Sequence, residues 1–345
     1  MMKTALITGV TGQDGAYLAE WLLNLGYTVY GTHRLTKTPD IWRLEYLDIL
    51  DHPQFHLHAC DLTDFNSCKT LIKQISPDEV YNLAAQSFVG LSFKEPFMTA
   101  QITGVAVLNL LEAIRIIKPS IRFYQASSSE LFGQVEEIPQ TEKTPFHPRS
   151  PYAVAKLFAH WSAINYRESY GLFATCGILY NHESPLRSKE FVTRKITHTV
   201  ARIALGQQDL LVLGNLDVSR DWGYAKEYVV GMHRMMQHDV ADTFVLATNR
   251  TASVREFTDL AFQAAGTDLI WEGTGLNAFA IERKSGQLRV RVDQNFYRPC
   301  EVGTMQGDAS KARDLLGWQA NTRLEQLCQL MVQEDLRRVE KGVPF

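Results

Sequence analysis

Short apolar runs alternate with longer amphipathic segments through the first half of the chain. The apolar runs have the character of buried strands, and they are Thr4–Thr8, Thr28–Tyr30, Phe55–Ala59, Glu79–Leu83, Arg122–Ala126 and Ala174–Leu179. The amphipathic segments repeat apolar residues with the period of a helix, and they are Ala16–Leu25, Phe65–Ile75, Thr99–Ile116 and Pro151–Tyr170. Strands that alternate with helices at this spacing predict βαβ units, and therefore an α/β fold with a doubly wound, parallel, Rossmann-type sheet.

The alternation becomes less regular after about Leu179. The later segments with recognisable periodicity are Gly206–Leu216 (a loop and a short strand), Phe244–Thr248, Leu288–Val292 and the closing helix Leu324–Glu340. The sequence contains neither a repeat nor a low-complexity linker. We therefore predict two interwoven domains. Residues 1–180, joined by about 221–255, form the sheet domain, and residues 181–220 and 256–345 form a smaller C-terminal domain.

Charge and composition exclude several classes of protein. The 345 residues include 35 basic and 38 acidic side chains, for a net charge of −3. A dedicated nucleic-acid binder usually carries a strong basic excess. No run approaches the ~18 consecutive apolar residues of a membrane-spanning helix, and the N-terminus becomes glycine-rich too early for a signal peptide. We therefore expect no nucleic-acid partner and no membrane segment.

The cysteines point to a reducing compartment. There are five, an odd number, and no two of them form a CxxC pair. This pattern argues against a disulfide framework and against a structural zinc site. We therefore expect a cytoplasmic protein without a metal, in which most cysteines are small buried side chains.

A glycine-rich segment follows the first predicted strand. It reads Gly9-Val10-Thr11-Gly12-Gln13-Asp14-Gly15 and opens the first predicted helix. Glycines at this spacing permit a tight turn and close approach of the backbone to a pyrophosphate, and the helix N-terminus adds unpaired N–H donors. An ordinary βα turn is the alternative, but the position between strand and helix favours a dinucleotide site. Its predicted cofactor-binding residues are Gly9, Thr11, Gly12, Gln13, Asp14 and Gly15.

An arginine follows the second strand, where NAD-binding proteins usually carry an acid. That acid accepts a hydrogen bond from the ribose 2′-OH about 20 residues after the glycine motif. Here Arg34 stands at this place, and a guanidinium would bind a 2′-phosphate instead. A solvated surface arginine is the alternative interpretation. The pattern predicts NADP as the cofactor.

Candidate catalytic groups lie at the end of one strand and at the start of one helix. Tyr152 and Lys156 are spaced i and i+4, so they share a helix face. A nearby ammonium lowers the pKa of a phenol, which would make Tyr152 a usable proton acceptor. Ser128 and Glu130 follow the strand Arg122–Ala126, at the edge where ligands bind in such sheets. A chance tyrosine–lysine pair, a serine cap and a solvated carboxylate are the alternatives.

Taken together, these motifs resemble the extended short-chain dehydrogenase/reductases. The resemblance rests on Gly9-x-x-Gly12-x-x-Gly15, Asn82-Leu83-Ala84-Ala85-Gln86, Ser127–Glu130 and Tyr152-x-x-x-Lys156. Longer strings resemble one family among them, the GDP-mannose 4,6-dehydratases. These strings are Leu6–Gly15, Pro148–Tyr152, Asn165–Gly171, Asn181–Pro185, Phe191–Lys195, Arg220–Gly223 and Arg298–Glu301. The likeness extends to about Trp318, which is nearly the whole chain.

The resemblance implies a redox-neutral dehydration of GDP-mannose to GDP-4-dehydro-6-deoxy-mannose. Hydride leaves C4 of the hexose for NADP while Tyr152 takes the O4 proton. Lys156 holds the phenolate and the nicotinamide ribose, and Ser128 hydrogen-bonds O4. Glu130 removes the C5 proton and assists loss of the C6 hydroxyl, after which the hydride returns to C6. Because an epimerase or a simple reductase needs no such carboxylate, Glu130 is the residue that most favours dehydration.

The resemblance also implies binding residues and an oligomer. Further cofactor contacts are implied for Tyr152, Lys156, Asp61, Leu62, Leu83, Ala85 and Ser87. Substrate contacts are implied for Ser87, Asn181, Val192, Lys195, Arg220, Arg298 and Glu301. Cations and an amide suit a diphosphate, and a carboxylate suits ribose or base donors. The domain of residues 1–180 is then NADP-binding, the domain of 181–220 and 256–345 is GDP-sugar-binding, and a homo-oligomer, either dimer or tetramer, is expected.

Three positions depart from the family pattern. Ser128 stands where threonine is usual, and Leu35 follows Arg34 where a second arginine is frequent. Leu186-Arg187-Ser188-Lys189 replaces an Arg-Arg-Gly pattern in a loop that reaches a neighbouring subunit's cofactor in the family. The third departure bears on the tetramer more than on the chemistry.

The sequence leaves alternatives open. A related enzyme would accept another GDP-linked sugar, such as a mannoheptose, or would also reduce its own product, because substituents at C6 are distinguished by pocket shape. A catalytically inactive NADP-sensing regulator on the same fold is the alternative from another class, and a scaffold role is weaker still. The presence of Tyr152, Lys156 and Glu130 together argues against both.

Overall fold

A seven-stranded parallel sheet forms the centre of the computed structural model, which describes residues 2–36, 38–297, 300 and 302–343. Its strands are β1 (Thr4–Thr8), β2 (Thr28–His33), β3 (Phe55–Ala59), β4 (Glu79–Asn82), β5 (Arg122–Ser128), β6 (Ala174–Leu179) and β10 (Thr243–Leu246). They lie in the order β10-β6-β5-β4-β1-β2-β3. The order reverses between β1 and β4, and in doubly wound sheets a ligand crevice opens at such a reversal, outside the carboxyl ends of the strands.

Helices cover the sheet and continue into the second half of the chain. In the first half they are α1 (Gln13–Asn24), α2 (Trp42–Tyr46), α3 (Phe65–Ile75), α4 (Val89–Ser92), α5 (Pro96–Thr99), α6 (Ala106–Ile117) and α7 (Pro151–Tyr170). In the second half they are α8 (Val192–Ala204), α9 (Ala225–Gln237), α10 (Val254–Ala264), α11 (Ser310–Leu316) and α12 (Leu324–Lys341). A π-helical turn, Ala100–Val105, joins α5 to α6.

Two small sheets complete the fold. One consists of β7 (Asn181–Glu183), β9 (Ser219–Tyr224) and β11 (Thr251–Ser253), in the order β11-β9-β7. The other consists of β8 (Leu211–Leu213), β12 (Leu269–Glu272), β13 (Phe279–Glu282) and β14 (Leu288–Val292), in the order β12-β13-β14-β8. A separate apolar core, which includes Trp222, Phe257 and Met331, packs these strands against α8, α10 and α12.

Helix α7, which carries Tyr152 and Lys156, has well-defined ends. The Ser150 hydroxyl accepts the N–H of Ala153 at 3.1 Å, and Pro151 occupies the first turn, where its missing N–H costs nothing. Gly171 ends the helix in the left-handed region at φ 68°. The start of α7 is therefore fixed by local sequence, and with it the position of Tyr152.

The predicted fold class is confirmed. Strands β1, β3 and β6 and helices α3 and α7 have the predicted bounds, whereas β2 extends to His33 and β5 to Ser128. Several strands and helices of the second half were not predicted, namely β7, β9, β11, β12, β13, α8, α9, α10 and α11. The division into domains stays a prediction. Residues between Val302 and Trp318 pack with the core of the large sheet, although the predicted boundary assigns them to the smaller domain.

One helical segment of the described chain, Pro96–Ile117, is long and apolar enough by length and composition to cross a membrane. The sequence criterion of about 18 consecutive apolar residues does not select this segment, because polar residues interrupt it. Within the fold, 44% of its most apolar stretch is buried, and Leu110, Leu111 and Ile114 are completely covered. This part of the segment packs against α3 and α7. The buried apolar side chains of Pro96–Ile117 therefore contribute to the core of the large sheet.

Candidate active site

The glycine-rich turn lies at the reversal of strand order and is closely packed. Gly9 has φ 69°, and its carbonyl accepts the N–H of Gly12 at 3.0 Å. A Cβ on Gly15 would lie 2.5 Å from the Gly9 oxygen and 2.6 Å from Cα of Val10. The Thr8 hydroxyl accepts the N–H of Leu83 at 3.1 Å, which ties the turn to the end of β4. The turn is thus held in one conformation from both sides.

This geometry fits a dinucleotide pyrophosphate. Gly12 precedes helix α1 as its N-cap and no side-chain hydrogen bond caps the first turn, so backbone N–H donors remain available to an anion. The turn also carries no side chain at Gly9, Gly12 or Gly15 to keep a phosphate away from the backbone.

Gly15→Ala should destabilise the protein and impair cofactor binding. The added methyl group would overlap the Gly9 carbonyl and the Val10 backbone, so the free energy of unfolding should fall by about 1–3 kcal/mol in urea titrations. Gly12→Ala is the comparison, because its Cβ would approach the Gly9 oxygen only to 3.3 Å and its φ of −77° suits any residue. Equal stability losses for the two variants would contradict this packing argument.

The other residues expected to bind the cofactor lie at the same edge of the sheet. Arg34 directly follows β2 and is exposed. Asp61 and Leu62 occupy the turn after β3, and both are half-buried. The remaining three follow β4: Leu83 and Ala85, which are half-buried, and Ser87, which is exposed. Parallel strands present their carboxyl ends at one edge, so these positions share a face with the glycine turn.

Ser128, Glu130 and Tyr152 come together at the end of β5. Ser128 is the last residue of this strand, and its hydroxyl accepts the N–H of Glu130 at 3.2 Å. The phenol of Tyr152 lies close enough to this hydroxyl for Ser128 to act on its pKa. Both Glu130 and Tyr152 are buried, and the Glu130 charge acts on the phenol. A hydroxyl, a carboxylate and a phenol therefore surround one point at the edge of the sheet.

Lys156 lies one helical turn beyond Tyr152 and is anchored to the sheet. Its ammonium donates to the carbonyl oxygen of Ala126 in β5 at 2.7 Å, and its nitrogen lies 5.9 Å from the centroid of the Tyr152 ring. The Lys156 side chain thereby joins α7 to β5 beside the phenol.

Burial dominates the pKa values of the tyrosine and the lysine. It raises the pKa of Tyr152 to about 12, although the hydrogen bond from Ser128 acts in the opposite direction. It lowers the pKa of Lys156 to about 8, against the attraction of Asp14. The expectation of a lowered pKa for Tyr152 is therefore wrong for this structure, because the net shift is upward. The loss of water around the phenol outweighs the charges near it.

A histidine that was not predicted as a site residue joins the glycine turn to the second half of the chain. His182 Nε2 lies 2.8 Å from Oδ2 of Asp14, and His182 Nδ1 lies 2.7 Å from the carbonyl oxygen of Tyr180. This pairing lowers the pKa of Asp14 to about 2 and raises the pKa of His182. Burial opposes both shifts, because it favours the neutral form of each group. The Asp14 carboxylate thus links the glycine turn to β7 through His182. The Asn181–Pro185 string was the available signal, but it did not show which side chain pairs with the turn.

Three buried arginines hold the loop that departs from the family pattern. The Leu186 side chain is completely buried. Each arginine donates to one carbonyl oxygen of the loop: Arg338 to Pro185 at 2.6 Å, Arg43 to Leu186 at 2.7 Å and Arg194 to Arg187 at 2.7 Å. The loop is therefore fastened to its own chain by α2, α8 and α12.

Besides Ser87, which follows β4, four of the predicted substrate residues lie in the described chain. Asn181 begins β7 and pairs in register with Trp222. Val192 begins α8, and Lys195 lies on the same helix with its nitrogen 3.4 Å from the centroid of the Phe296 ring. Burial lowers the pKa of Lys195. The fourth, Arg220, lies in the neighbouring strand β9.

Arg220 is buried beside a cavity of the smaller sheets. Its guanidinium donates to the carbonyl oxygens of Ser219 at 2.9 Å and Gly303 at 3.0 Å. The cavity measures about 370 Å³ and is lined by 215, 217–219 and 302–304. The predicted residues Arg298 and Glu301 lie outside the described residues. A larger cavity, about 490 Å³, lies on the outer face of α7 and is separate from the catalytic groups.

No group of three or more His, Cys, Asp or Glu side chains suited to a metal ion occurs among the residues that the structure describes. The absence of a metal stays a prediction.

Comparison with known proteins agrees with this arrangement. A family model described as GDP-mannose 4,6 dehydratase matches residues 6–331. A curated GDP-mannose 4,6-dehydratase of Sinorhizobium fredii is 51% identical over 339 residues, covering 97% of each chain. One of Yersinia enterocolitica is 48% identical over 355 residues, covering 99% of this chain and 95% of the relative.

The fold also matches solved structures. RMD from Pseudomonas aeruginosa, determined with NADPH, superposes with a TM-score of 0.77 at 24% identity and covers 98% of this chain and 100% of its own. This similarity concerns the fold alone. Because the family model spans nearly the whole sequence and the curated relatives share about half of their residues with it, the chain belongs to the GDP-mannose 4,6-dehydratase family.

Proposed function

We propose that this protein dehydrates GDP-mannose to GDP-4-dehydro-6-deoxy-mannose with NADP as its hydride carrier. The observation that carries the proposal is the buried carboxylate of Glu130 beside the Ser128 hydroxyl and the buried phenol of Tyr152. Oxidation at C4 requires a proton acceptor and a hydrogen-bond donor at O4, and elimination requires a second base. One strand end and one helix start supply all three groups.

The residues of the chain divide the proton transfers. NADP held at the glycine turn would supply the acceptor for the C4 hydride and the donor of hydride to C6. Tyr152 takes the O4 proton while Ser128 holds O4, and the ammonium of Lys156 stabilises the phenolate. The C4 ketone acidifies the C5 hydrogen, which Glu130 removes before it protonates the departing C6 hydroxyl. Burial of Glu130 and Tyr152 keeps water away from these transfers.

The nucleotide half of the substrate would bind to the smaller sheets. Lys195 and Arg220 supply positive charge suited to a diphosphate, and Asn181 supplies an amide. Val192 is a surface on which a guanine ring would lie. Glu301 and Arg298 belong to the same proposal, on the strength of their match to the family.

Incubation of the purified protein with GDP-mannose and catalytic NADP⁺ tests the function. We expect a product lighter by one water, with no net accumulation of NADPH, as measured by mass spectrometry and absorbance together. Net NADPH without loss of water would make the protein a dehydrogenase and remove the role of Glu130. If GDP-mannose does not react, other GDP-sugars come next, mannoheptose among them. NADP binding without turnover of any of them would favour a regulator.

Arg34→Ala should weaken NADPH binding much more than NADH binding. The exposed guanidinium after β2 is placed to contact a 2′-phosphate, and a hydrogen bond to a charged group contributes ~1.5–3 kcal/mol. We expect the Kd of NADPH to rise by about 10- to 100-fold in fluorescence titrations. The Kd of NADH, measured on the same variant, is the internal control. Equal losses for both cofactors would remove this role from Arg34.

We also propose a cytoplasmic homo-oligomer, a dimer or a tetramer, that binds neither nucleic acid nor membranes. The outer face of α7 supports an assembly because Val154, Phe158 and Trp161 are all exposed there, the last at 55%. Contiguous apolar surface of this kind is typical of protein interfaces.

Trp161→Glu should shift the protein towards monomer in sedimentation velocity runs, since a charge would have to be desolvated in the interface. Val240→Glu, which alters an exposed apolar residue elsewhere, is the control. A monomeric wild type would end this part of the proposal.

A further inference from the structure

Two consecutive residues of the short strand β7 face different neighbours, since side chains alternate along a strand. His182 faces the glycine turn, where its Nε2 lies 2.8 Å from Oδ2 of Asp14. Glu183 faces the start of α8, where its Oε2 accepts the hydroxyl of Thr193 at 2.6 Å. A strand of three residues therefore contacts both the cofactor turn and the helix that carries two of the predicted substrate contacts.

The Glu183 carboxylate is enclosed by the protein. Glu183 is 2% exposed and Thr193 is 1% exposed. The same oxygen, Oε2, lies 3.2 Å from Nε of Arg187, so the buried charge faces a cation. A buried carboxylate needs partners of this kind, because an unsatisfied charge inside a protein is costly. The bond between Glu183 and Thr193 is thus made where bulk water does not compete for it.

The first turn of α8 has no side-chain cap of its own. Its N-cap residue is Phe191, and no side-chain hydrogen bond closes the turn from there. Polar side chains at the N-cap usually perform that task. Here Glu183 approaches the turn from another element, through Thr193, and a negative charge near a helix N-terminus is favourable. The start of α8 is therefore fixed by its contact with β7.

Thr193 and Lys195 lie on different sides of α8. Two positions rotate a helix by about 200°, so their side chains leave it in nearly opposite directions. Thr193 is buried, Lys195 is half-buried and Val192 is exposed. The contact behind the helix thus sets the position of the two residues in front, which are the predicted substrate contacts.

The rest of α8 is held independently of β7. Arg194 donates to both oxygens of Asp335 in α12, at 2.5 Å and 3.1 Å, and Thr197 donates to the same carboxylate at 2.7 Å. Both residues follow Thr193 along the helix. Loss of the Thr193 hydroxyl should therefore shift the start of α8 without unfolding it.

We propose that Glu183 and Thr193 are positioning residues for the nucleotide half of the substrate, because their bond places the first turn of α8 where Val192 and Lys195 can bind it. The inference rests on the proposed function and adds two residues that act through the helix. An ammonium pairs with a diphosphate only within a short distance, so a displaced turn weakens the contact. Binding of NADP should not depend on the bond, since His182 holds the glycine turn by a separate contact.

Thr193→Val tests the proposal, because valine resembles threonine in shape and lacks the hydroxyl. The KM for GDP-mannose and the Kd of GDP should each rise about tenfold, while kcat and the Kd of NADPH change by less than about twofold. Thr193→Ser restores a hydroxyl and should bring the KM and the Kd of GDP to within about twofold of the wild-type values. Steady-state kinetics and isothermal titration calorimetry of the full-length protein measure these four quantities.

Thr258→Val is the matched control. Thr258 is a completely buried threonine of α10, which packs against α8, and its hydroxyl donates to the carbonyl oxygen of Val254 in its own helix at 2.7 Å. This variant loses the same chemical group from a neighbouring helix, so an effect of stability alone should appear in both variants. We expect its KM for GDP-mannose and its Kd of GDP to equal those of the wild type.

Glu183→Gln tests the same bond from the other side and carries the test if Thr193→Val does not fold. It keeps the size of the side chain and removes the charge, so the Kd of GDP should rise here as well. The effects of Glu183→Gln and Thr193→Val should be less than additive in the double variant, because both weaken one bond. Fully additive effects would refute the bond as their common cause.

The outcomes separate this inference from the proposed function. If the wild type binds no GDP, the proposed substrate site fails and the positioning role fails with it. If the wild type binds GDP and dehydrates GDP-mannose, and Thr193→Val does so with unchanged KM and Kd, the proposed function stands and this inference alone is refuted. Failure of Thr193→Ser to restore binding, or equal losses in Thr258→Val, would also overturn it.

Discussion

Tyr152→Phe should lower the turnover of GDP-mannose by about 10³-fold, within the range that general acid–base groups contribute. The variant removes the atom that accepts the O4 proton and leaves the ring in its buried place at the start of α7. The Kd of NADPH should change by less than about threefold, because a phenylalanine keeps the packing and Lys156 keeps its bond to Ala126. Steady-state kinetics measure the turnover of GDP-mannose, and fluorescence titration measures the Kd of NADPH.

Tyr166→Phe is the matched control for this variant. Tyr166 lies on the same helix, is half-buried and donates a hydrogen bond to Glu112 at 3.0 Å. Loss of that bond, away from the sheet edge, should leave turnover near the wild-type level. Comparable losses of turnover in the two variants would show that the effect comes from the stability of α7 and not from the O4 proton.

Glu130→Gln should abolish dehydration while the first step survives. An amide keeps the size of the side chain but cannot take the C5 proton, so turnover should fall by about 10²- to 10⁴-fold. Tyr152 and Ser128 remain in place, so mixing enzyme, NADP⁺ and GDP-mannose should produce a stoichiometric rise in NADPH absorbance that does not decay. When the reaction of the variant is run in deuterated water, the recovered sugar nucleotide should carry no deuterium at C5.

Glu136→Gln serves as the control, since Glu136 is an exposed carboxylate six residues further along the chain. Its turnover should match that of the wild type. Full dehydration by Glu130→Gln would mean that another residue is the base. The absence of the NADPH rise would mean that Glu130 also acts in the oxidation step.

Much of the fold follows from local patterns. The predicted bounds are correct for β1, β3, β6, α3 and α7. In each of them the hydrophobic periodicity is constant, and the residues that begin and end the element are its neighbours in the sequence. The second half was predicted less well. Strands β7 and β11 have three residues each, and such short strands owe their conformation to pairing with β9.

The candidate site divides in the same way. Its glycines and the Tyr152–Lys156 spacing are visible in the sequence because each lies within one turn or one helix. The partner of Asp14 is not visible, because His182 is 168 positions away and reaches it only through the packing of β7. The acidity of Tyr152 was predicted with the wrong sign, since a neighbouring charge is apparent from spacing but the extent of burial is not.

The sequence by itself determined the family, the alternation of strands and helices in the first half, and the candidate catalytic residues, because these depend on periodicity and on short strings of residues. Only the tertiary structure decided which groups meet. It joined Asp14 to His182, and the loop at Leu186 to three arginines of its own chain. Contacts of this kind depend on the distance and burial of side chains from different elements, and the packing of helices against the sheets sets both.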